Sequence, residues 1–366
     1  MTKVAATATA AGMILAALAG CAANEETPGD GKGSGSPAAK LSGTIDGAGA
    51  SSQSAAQEAW RGGFAKLQSD VVINYDPTGS GTGREQFTEG GVAFVGTDAP
   101  FSLDDVAAGF GSCADGSGLV EVPVYISPIV VAFNLDGITE LNLAPKTIAD
   151  IFLGKIAKWN DPAITADNPG VNLPDTNVAA VHRADKSGTT ENFTDWLAAN
   201  AKDAWPHEPA EEWPVSGGEA AEKTQGVVAT VTSTPGAVGY VDAGQASGLG
   251  WAAIKVGGAW VSASPEGAAK AVGESSLQEG RADTDVVYDL NRTTEAAGAY
   301  PLILVSYLGA CEKYKDAEQG KLVAGYFQYV TSEDGQAAAA ANAGSAPLTS
   351  EEGLSAKVSS AVASIG

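Results

Sequence analysis

Histidine, methionine and cysteine are scarce: the chain has two, two and three of them in 366 residues. With only His182 and His207, well apart in the sequence, it has no cluster of the kind that holds a catalytic zinc or a two-metal phosphatase centre. The same scarcity weakens a serine-hydrolase reading, which needs a base beside its nucleophile. "TGSGTG" around Ser80 also lacks the first glycine of a G-x-S-x-G elbow. Basic residues are few as well, 21 against 44 acidic, for a formal charge of -23. Nucleic-acid backbones are bound by clustered Lys and Arg, so they are excluded as partners. "DKSGTT" lacks the G-x-x-x-x-G-K-[ST] spacing of a nucleotide loop. What remains is an ordinary globular composition, 44% apolar and 18% charged, in a chain long enough for two globular units of about 100–200 residues each.

Lys3 is followed by the apolar run Ala11 to Ala19, too short to span a bilayer permanently but suited to the core of a signal peptide. It ends in Leu18-Ala19-Gly20-Cys21, which resembles the bacterial lipobox. That resemblance implies a lipoprotein signal peptide over 1–20, removal at Cys21 and lipidation of that cysteine, hence export. Residues 21–40, rich in Gly, Ser and Pro without apolar periodicity, read as a flexible tether. As a random coil, residues 22–40 would span about 25 Å. Cys113 and Cys311 then remain as an even pair. In an exported chain a disulfide is the expectation, two separate buried thiols the alternative.

From Leu41 onward one pattern recurs: a short apolar run, a loop rich in Gly, Ser and Thr, then helical periodicity. Ala56, Trp60, Phe64 and Leu67 share a helical spacing; strands are expected at Val71–Tyr75, Val92–Val95 and Val178–Val181; Phe193, Trp196 and Leu197 mark another helix. Alternating strands and helices predict an α/β architecture with mixed, mostly parallel sheets. Ligands of such sheets bind at the carboxyl ends of strands, where these loops fall. Each loop also opens a helix whose first N–H groups are unpaired, so an anion is the natural guest. In "HRADKSGTTENF" at 182–193, Ser187, Gly188 and Thr189 would form such a cradle with Arg183 supplying the full charge, the plainer alternative being a helix cap. Two long apolar runs, 120–135 and 299–311, read as segments crossing between lobes. Lobe I is expected over 41–122 plus 303–366 and lobe II over 123–302, with hinged closure across a cleft.

The combination of "GAGASS" at 47–52, "GSGTG" at 79–83, "GTDAP" at 96–100, "TIADIFLGKIAKWNDPAI" at 147–164, "HRADKSGTTENFTDWL" at 182–197 and "TPGAVGYVD" at 234–242 resembles the phosphate-binding protein of the bacterial high-affinity phosphate ABC transporter. The resemblance covers nearly the whole mature chain. It implies a two-lobed, periplasmic-binding-protein-like fold of the class II type, inorganic phosphate as ligand, a membrane ABC permease as partner, a monomer anchored outside the cytoplasmic membrane, no cofactor, no metal and no enzymatic turnover. Position by position it implies a hydroxyl from Ser51, a backbone N–H from Ser52, hydroxyl and amide from Ser80, a charge-assisted contact from Arg183 held by Asp185, and the cradle of Ser187, Gly188 and Thr189. Asp98 would accept a hydrogen bond from a protonated oxygen of phosphate, which sulfate lacks at neutral pH. Asp98 and Asp185 could alternatively be turn residues. Two departures stand out: Ser52 occupies a place where a bulky apolar residue is common, so only its main chain is expected to matter, and Lys186 replaces a frequent Gly. The competing readings are a surface adhesion or sensory protein on the same fold and, behind it, a secreted phosphate-ester hydrolase.

Overall fold

Val, Ile, Leu, Phe and Tyr dominate residues 119–133, and every one of those fifteen positions is buried. This strand is the spine of the computed structural model, which describes residues 40–346 and 353–366. The expected signal peptide, Cys21 and the tether up to Ala39 lie outside the described residues. In chain order the strands are β1 (Gly43–Gly49), β2 (Val71–Asp76), β3 (Phe94–Thr97), β4 (Leu119–Phe133), β5 (Glu140–Leu143), β6 (Ala179–Arg183), β7 (Glu219–Ala221), β8 (Ala237–Asp242), β9 (Gly250–Val256), β10 (Ala259–Val261), β11 (Ser276–Leu277), β12 (Tyr288–Asp289) and β13 (Ile303–Cys311). The helices are α1 (Ser54–Leu67), α2 (Ser80–Glu89), α3 (Leu103–Ala108), α4 (Pro145–Phe152), α5 (Pro162–Asp167), α6 (Gly188–Asn200), α7 (Lys223–Ser233), α8 (Pro265–Gly273), α9 (Ala317–Val330), α10 (Glu333–Ala343) and α11 (Leu354–Ala363).

The main sheet runs β2-β1-β3-β13-β4-β8-β6-β7, with β9 also on β4 and carrying β5 and β10. Its strand–loop–helix units are parallel: β1 with β2 and β3, β6 with β7 and β8, and β5 with β9. The two long crossing strands add the antiparallel pairings that make the sheet mixed. Strand β4 changes partners along its length: residues 119–128 pair with β13, residues 129–133 with β8 and β9. Pro128, which has no N–H to give a neighbour, sits at that change. A second irregularity falls where Ser306 pairs with Tyr125 but Tyr307 with Pro123, so that Val124 is the extra residue of a bulge.

Ala56, Trp60 and Phe64 of α1 are buried as their spacing predicts, whereas Leu67, the last residue of the helix, is 66% exposed. The periodicity outran the surface the helix covers. Phe193, Trp196 and Leu197 of α6 are all buried. Cys113 and Cys311 form the expected disulfide across 198 residues of sequence. Loop-closure entropy alone makes a link of that span worth about 5 kcal/mol.

Candidate functional site

Strands β1, β2, β3 and β6 each end in a loop that feeds a helical turn: Ser51–Gln53 and α1 after β1, α2 after β2, and α6 after β6, while β3 delivers Asp98. The loops meet because glycine lets them. Gly49 has φ +141, and a Cβ there would lie 1.8 Å from the Gly96 carbonyl oxygen, so only glycine can end β1 this close to β3. Gly188 opens α6 with its Cα against Asp98 and Ser80, where a Cβ would stand 2.7 Å from both side chains.

Asp98 is 3% exposed. Its carboxylate accepts the Ser52 hydroxyl at 2.8 and 2.7 Å, the Thr189 hydroxyl at 3.3 Å and the Ser306 hydroxyl. Its backbone N–H donates to Ser80 Oγ at 3.1 Å. Burial pushes the carboxyl above its ordinary range, while the hydroxyls of Ser306 and Ser52, the charge of Arg183 and the Thr189 hydroxyl pull it back. Ser52 therefore contributes its side chain as well as its main chain, contrary to the sequence expectation.

Arg183, also 3% exposed, gives its Nε to Asp185 Oδ1 at 2.7 Å and an Nη to the other oxygen. Asp185 additionally accepts the Lys223 N–H at 2.9 Å. Burial opposes its ionisation, but the bonds and charge of Arg183 and the Lys223 amide outweigh it and hold the carboxyl below the usual range. Ser187 caps α6 by accepting the Thr190 N–H at 3.2 Å, so the capping interpretation is true of it too. Behind Arg183, Tyr240 takes its backbone N–H at 3.2 Å and stacks on Phe193 at 4.3 Å. His182 stacks on Trp213, 5.2 Å between ring centres, within β6.

The structure thus brings together Ser51, Ser52, Ser80, Asp98, Arg183, Asp185, Ser187, Gly188 and Thr189. It adds residues the sequence did not single out. Thr224 donates its N–H to Ser51 Oγ at 3.1 Å, and Gln245 Nε2 donates to the carbonyls of Ser51 and Ser52, both at 3.0 Å. Asn192 bonds the Asp98 carbonyl at 2.8 Å. Lys186 pairs with Glu85 of α2, and Arg84 of the same helix meets Glu211 at 2.8 Å. Ser306, inside the apolar run "PLILVSYLGAC", carried no local signal that marked it as a site residue.

One buried guanidinium, several hydroxyls, helix starts and one carboxylate not paired with that guanidinium make a site for a small oxyanion that still carries a proton: the positive elements hold the charge and Asp98 can accept a hydrogen. A cavity of about 320 Å³ reaches the site at Asp98 and Asn192 and is otherwise lined by Glu191, Asp195 and Asp289 with Arg292; Arg292 is already spent on Asp195 at 2.7 Å. Among the described residues no three His, Cys, Asp or Glu side chains group to hold a metal. No described helix is long and apolar enough to cross a membrane.

Comparison with known proteins bears on the family and the fold. A family model described as the PBP superfamily domain matches residues 34–334. Phosphate-binding protein PstS3 of Mycobacterium bovis is 31% identical over 327 residues, 87% of each chain. Phosphate-binding protein PstS of Xylella fastidiosa is 34% identical over 266 residues, 70% of this chain and 69% of its own. The solved structure of a phosphate-binding protein from Stenotrophomonas maltophilia superposes with a TM-score of 0.66 at 20% identity, covering 87% of this chain and 93% of the other, and so speaks for the fold.

Proposed function

Since the chain belongs to the phosphate-binding proteins of the PBP superfamily, we propose that it captures inorganic phosphate outside the cell and hands it to an ABC permease for import. The observation that carries this is the pairing of Arg183, buried and charged, with Asp98, buried and accepting hydroxyl protons, in one set of converging loops. Phosphate bearing one proton satisfies both; fully ionised sulfate leaves Asp98 facing a bare oxygen, a mismatch worth up to about 10⁴ to 10⁵ in favourable sites.

In this reading Ser51, Ser52, Ser80, Ser187, Gly188 and Thr189 supply hydroxyls and amides, Arg183 the charge and Asp185 its orientation. Lobe I (41–122 plus 303–366) and lobe II (123–302) close about the segments where β4 and β13 cross. The switch of β4 from β13 to β8 and β9 supports that division. Lys186–Glu85 and Arg84–Glu211 then join the two lobes at the mouth of the cleft. The chain works as a monomeric receptor without turnover, held to the outer face of the cytoplasmic membrane through lipidated Cys21 and the tether after it. The -23 formal charge does not oppose capture at contact distance, because surface charge is screened beyond about 8 Å at physiological ionic strength.

The test is calorimetric titration of the anion-stripped body from Leu41 onward. One-site phosphate binding without a sulfate response is expected. Binding of sulfate in preference would assign another oxyanion, and a folded protein that binds neither would return the chain to an adhesion or sensory role.

A further inference from the structure

Asp98 stands at the end of a buried line of hydrogen bonds that leads out of the site and into the core. Tyr326 Oη donates to Gln57 Oε1 at 2.7 Å, Gln57 Nε2 to Gln53 Oε1 at 2.9 Å, Gln53 Nε2 to Ser306 Oγ at 2.7 Å, and Ser306 Oγ to Asp98 Oδ1. Tyr326, Gln57, Gln53, Ser306 and Asp98 are each almost wholly buried. The direction of the line is fixed by one backbone group. Gln53 Nε2 also donates to the Tyr307 carbonyl at 3.0 Å, and a carbonyl can only accept, so the amide of Gln53 cannot be turned over. Its Nε2 must then face Ser306, whose own proton has Asp98 as its close acceptor.

We propose that Ser306, oriented by Gln53, Gln57 and Tyr326, is a positioning residue that sets phosphate-over-sulfate specificity by keeping Asp98 an acceptor of hydrogen bonds and never a donor. This rests on the phosphate reading above. The acceptor sites of a carboxylate number about four. Ser306 occupies one on Oδ1, Ser52 one shared across both oxygens and Thr189 one on Oδ2, which leaves a single place for a proton brought by the ligand. All three protein partners are hydroxyls that favour the ionised form. The bulge at Val124 shifts the register between Ser306 and Tyr307, the usual device for re-aiming a strand side chain next to a site.

Among the contacts that lower the proton affinity of Asp98, that of Ser306 is the largest. The charged or titratable groups facing Asp98 from its surroundings are Arg183 of β6, Tyr75 of β2, Tyr125 of β4 and Asp242 at the end of β8, and Ser306→Ala leaves all of them in place. Removing the hydroxyl makes Asp98 easier to protonate, and a protonated Asp98 can donate to sulfate.

The experiment is competitive calorimetry of phosphate and sulfate from pH 5 to 8 on the full folded body, with Ser306→Ala, Ser306→Thr and the unaltered chain. A hydrogen bond to a charged group corresponds to about a tenfold to hundredfold factor in binding. Ser306→Ala is expected to lower the phosphate-to-sulfate affinity ratio by that factor and to move the onset of sulfate binding up by about one to two pH units. Ser306→Thr, which keeps the hydroxyl, should restore both. If Ser306→Ala does not fold, Ser306→Cys, with a weak donor of similar size, should shift both readouts the same way by less. A Ser306→Ala protein that binds phosphate with the unaltered ratio and onset overturns the inference alone. An unaltered chain that binds no phosphate overturns the receptor reading beneath it.

Discussion

Asp185 grips Arg183 from two residues further along the chain, meeting both Nε and an Nη with its two oxygens. The guanidinium is thereby held in a two-point grip by its own loop, close to the converging hydroxyls. Arg183→Ala removes the one full positive charge and should lower phosphate affinity by at least about a hundredfold. Asp185→Asn keeps the shape but loses half of the grip, and about a tenfold loss is expected. Calorimetry of the two variants side by side checks the ranking; an Asp185→Asn protein as weak as Arg183→Ala would mean that Asp185 does more than orient.

Gly188 predicts a variant that tests how closely the binding loops must converge. Alanine is welcome at the start of a helix, yet its methyl would press on Asp98 and Ser80 at 2.7 Å. Gly188→Ala should lose about tenfold or more in phosphate affinity, since it wedges apart the groups that must converge, and should lower stability by about 1–3 kcal/mol through overpacking. A large drop in midpoint with affinity retained would show that the contact serves the fold instead.

Lys223, first residue of α7, has φ 63, the only positive value at a non-glycine among the described residues. Its amide, which reaches Asp185, is what holds it there. Lys223→Gly keeps the N–H and relieves the conformation, so urea unfolding should show a gain of about 1 kcal/mol. Lys223→Pro removes the N–H and should weaken both stability and phosphate binding.

Stability should fall as pH rises towards neutrality. Burial, with Glu211 nearby, lifts Glu191 to about 7; burial, with Asp98 nearby and against hydrogen bonds from Ser127 and Tyr125, lifts Asp242 to about 7. Both carboxyls are harder to ionise in the folded chain than in the unfolded one, so the folded state holds more protons between the ordinary carboxylate range and about 7. Their contribution is complete below that window and lost as pH climbs through it. Urea midpoints at pH 5.5 and 8 should therefore differ in favour of the lower pH, and Glu191→Gln should shrink the difference. Asp185, held low, acts oppositely: its contribution disappears only in acid, below its ordinary range.

Much of this was legible in the chain because each binding loop carries its own local signal: an apolar run, then glycine and hydroxyl residues, then helical spacing. Arg183 could be proposed from that signal, whereas Ser80 and Asp98 took their roles only from the resemblance. Ser306 could be reached by neither, since it contacts Asp98 across 208 residues of sequence and in its own neighbourhood is one serine in a buried strand. Gln53, just before α1, and Gln57 within it look like a polar side of that helix start; only the fold reveals that it is buried against β13 and Tyr326. Ser52 misled for the opposite reason, because the resemblance speaks of the main chain at that position and is silent about a hydroxyl standing there. Leu67 marks the limit of periodicity, which predicts a face without saying where the neighbour ends.

The return of β13 also dictates the order in which the molecule can be built. Strands β1, β2 and β3 emerge early, but β3 lies against β13, and the first half of β4 has β13 as its partner. That end of the sheet must wait, with its edge open, until residue 311 has followed. Strands β5 to β10 lie wholly between residues 140 and 261 and need only the second half of β4, already delivered. The middle of the chain can thus settle first, while the N-terminal part of the sheet stays unfinished and dependent on whatever shields nascent strands. Closure of Cys113 onto Cys311 can then follow, with α9, α10 and α11 still to pack on that half, and a truncation just before β13 would leave a product unable to complete its first half.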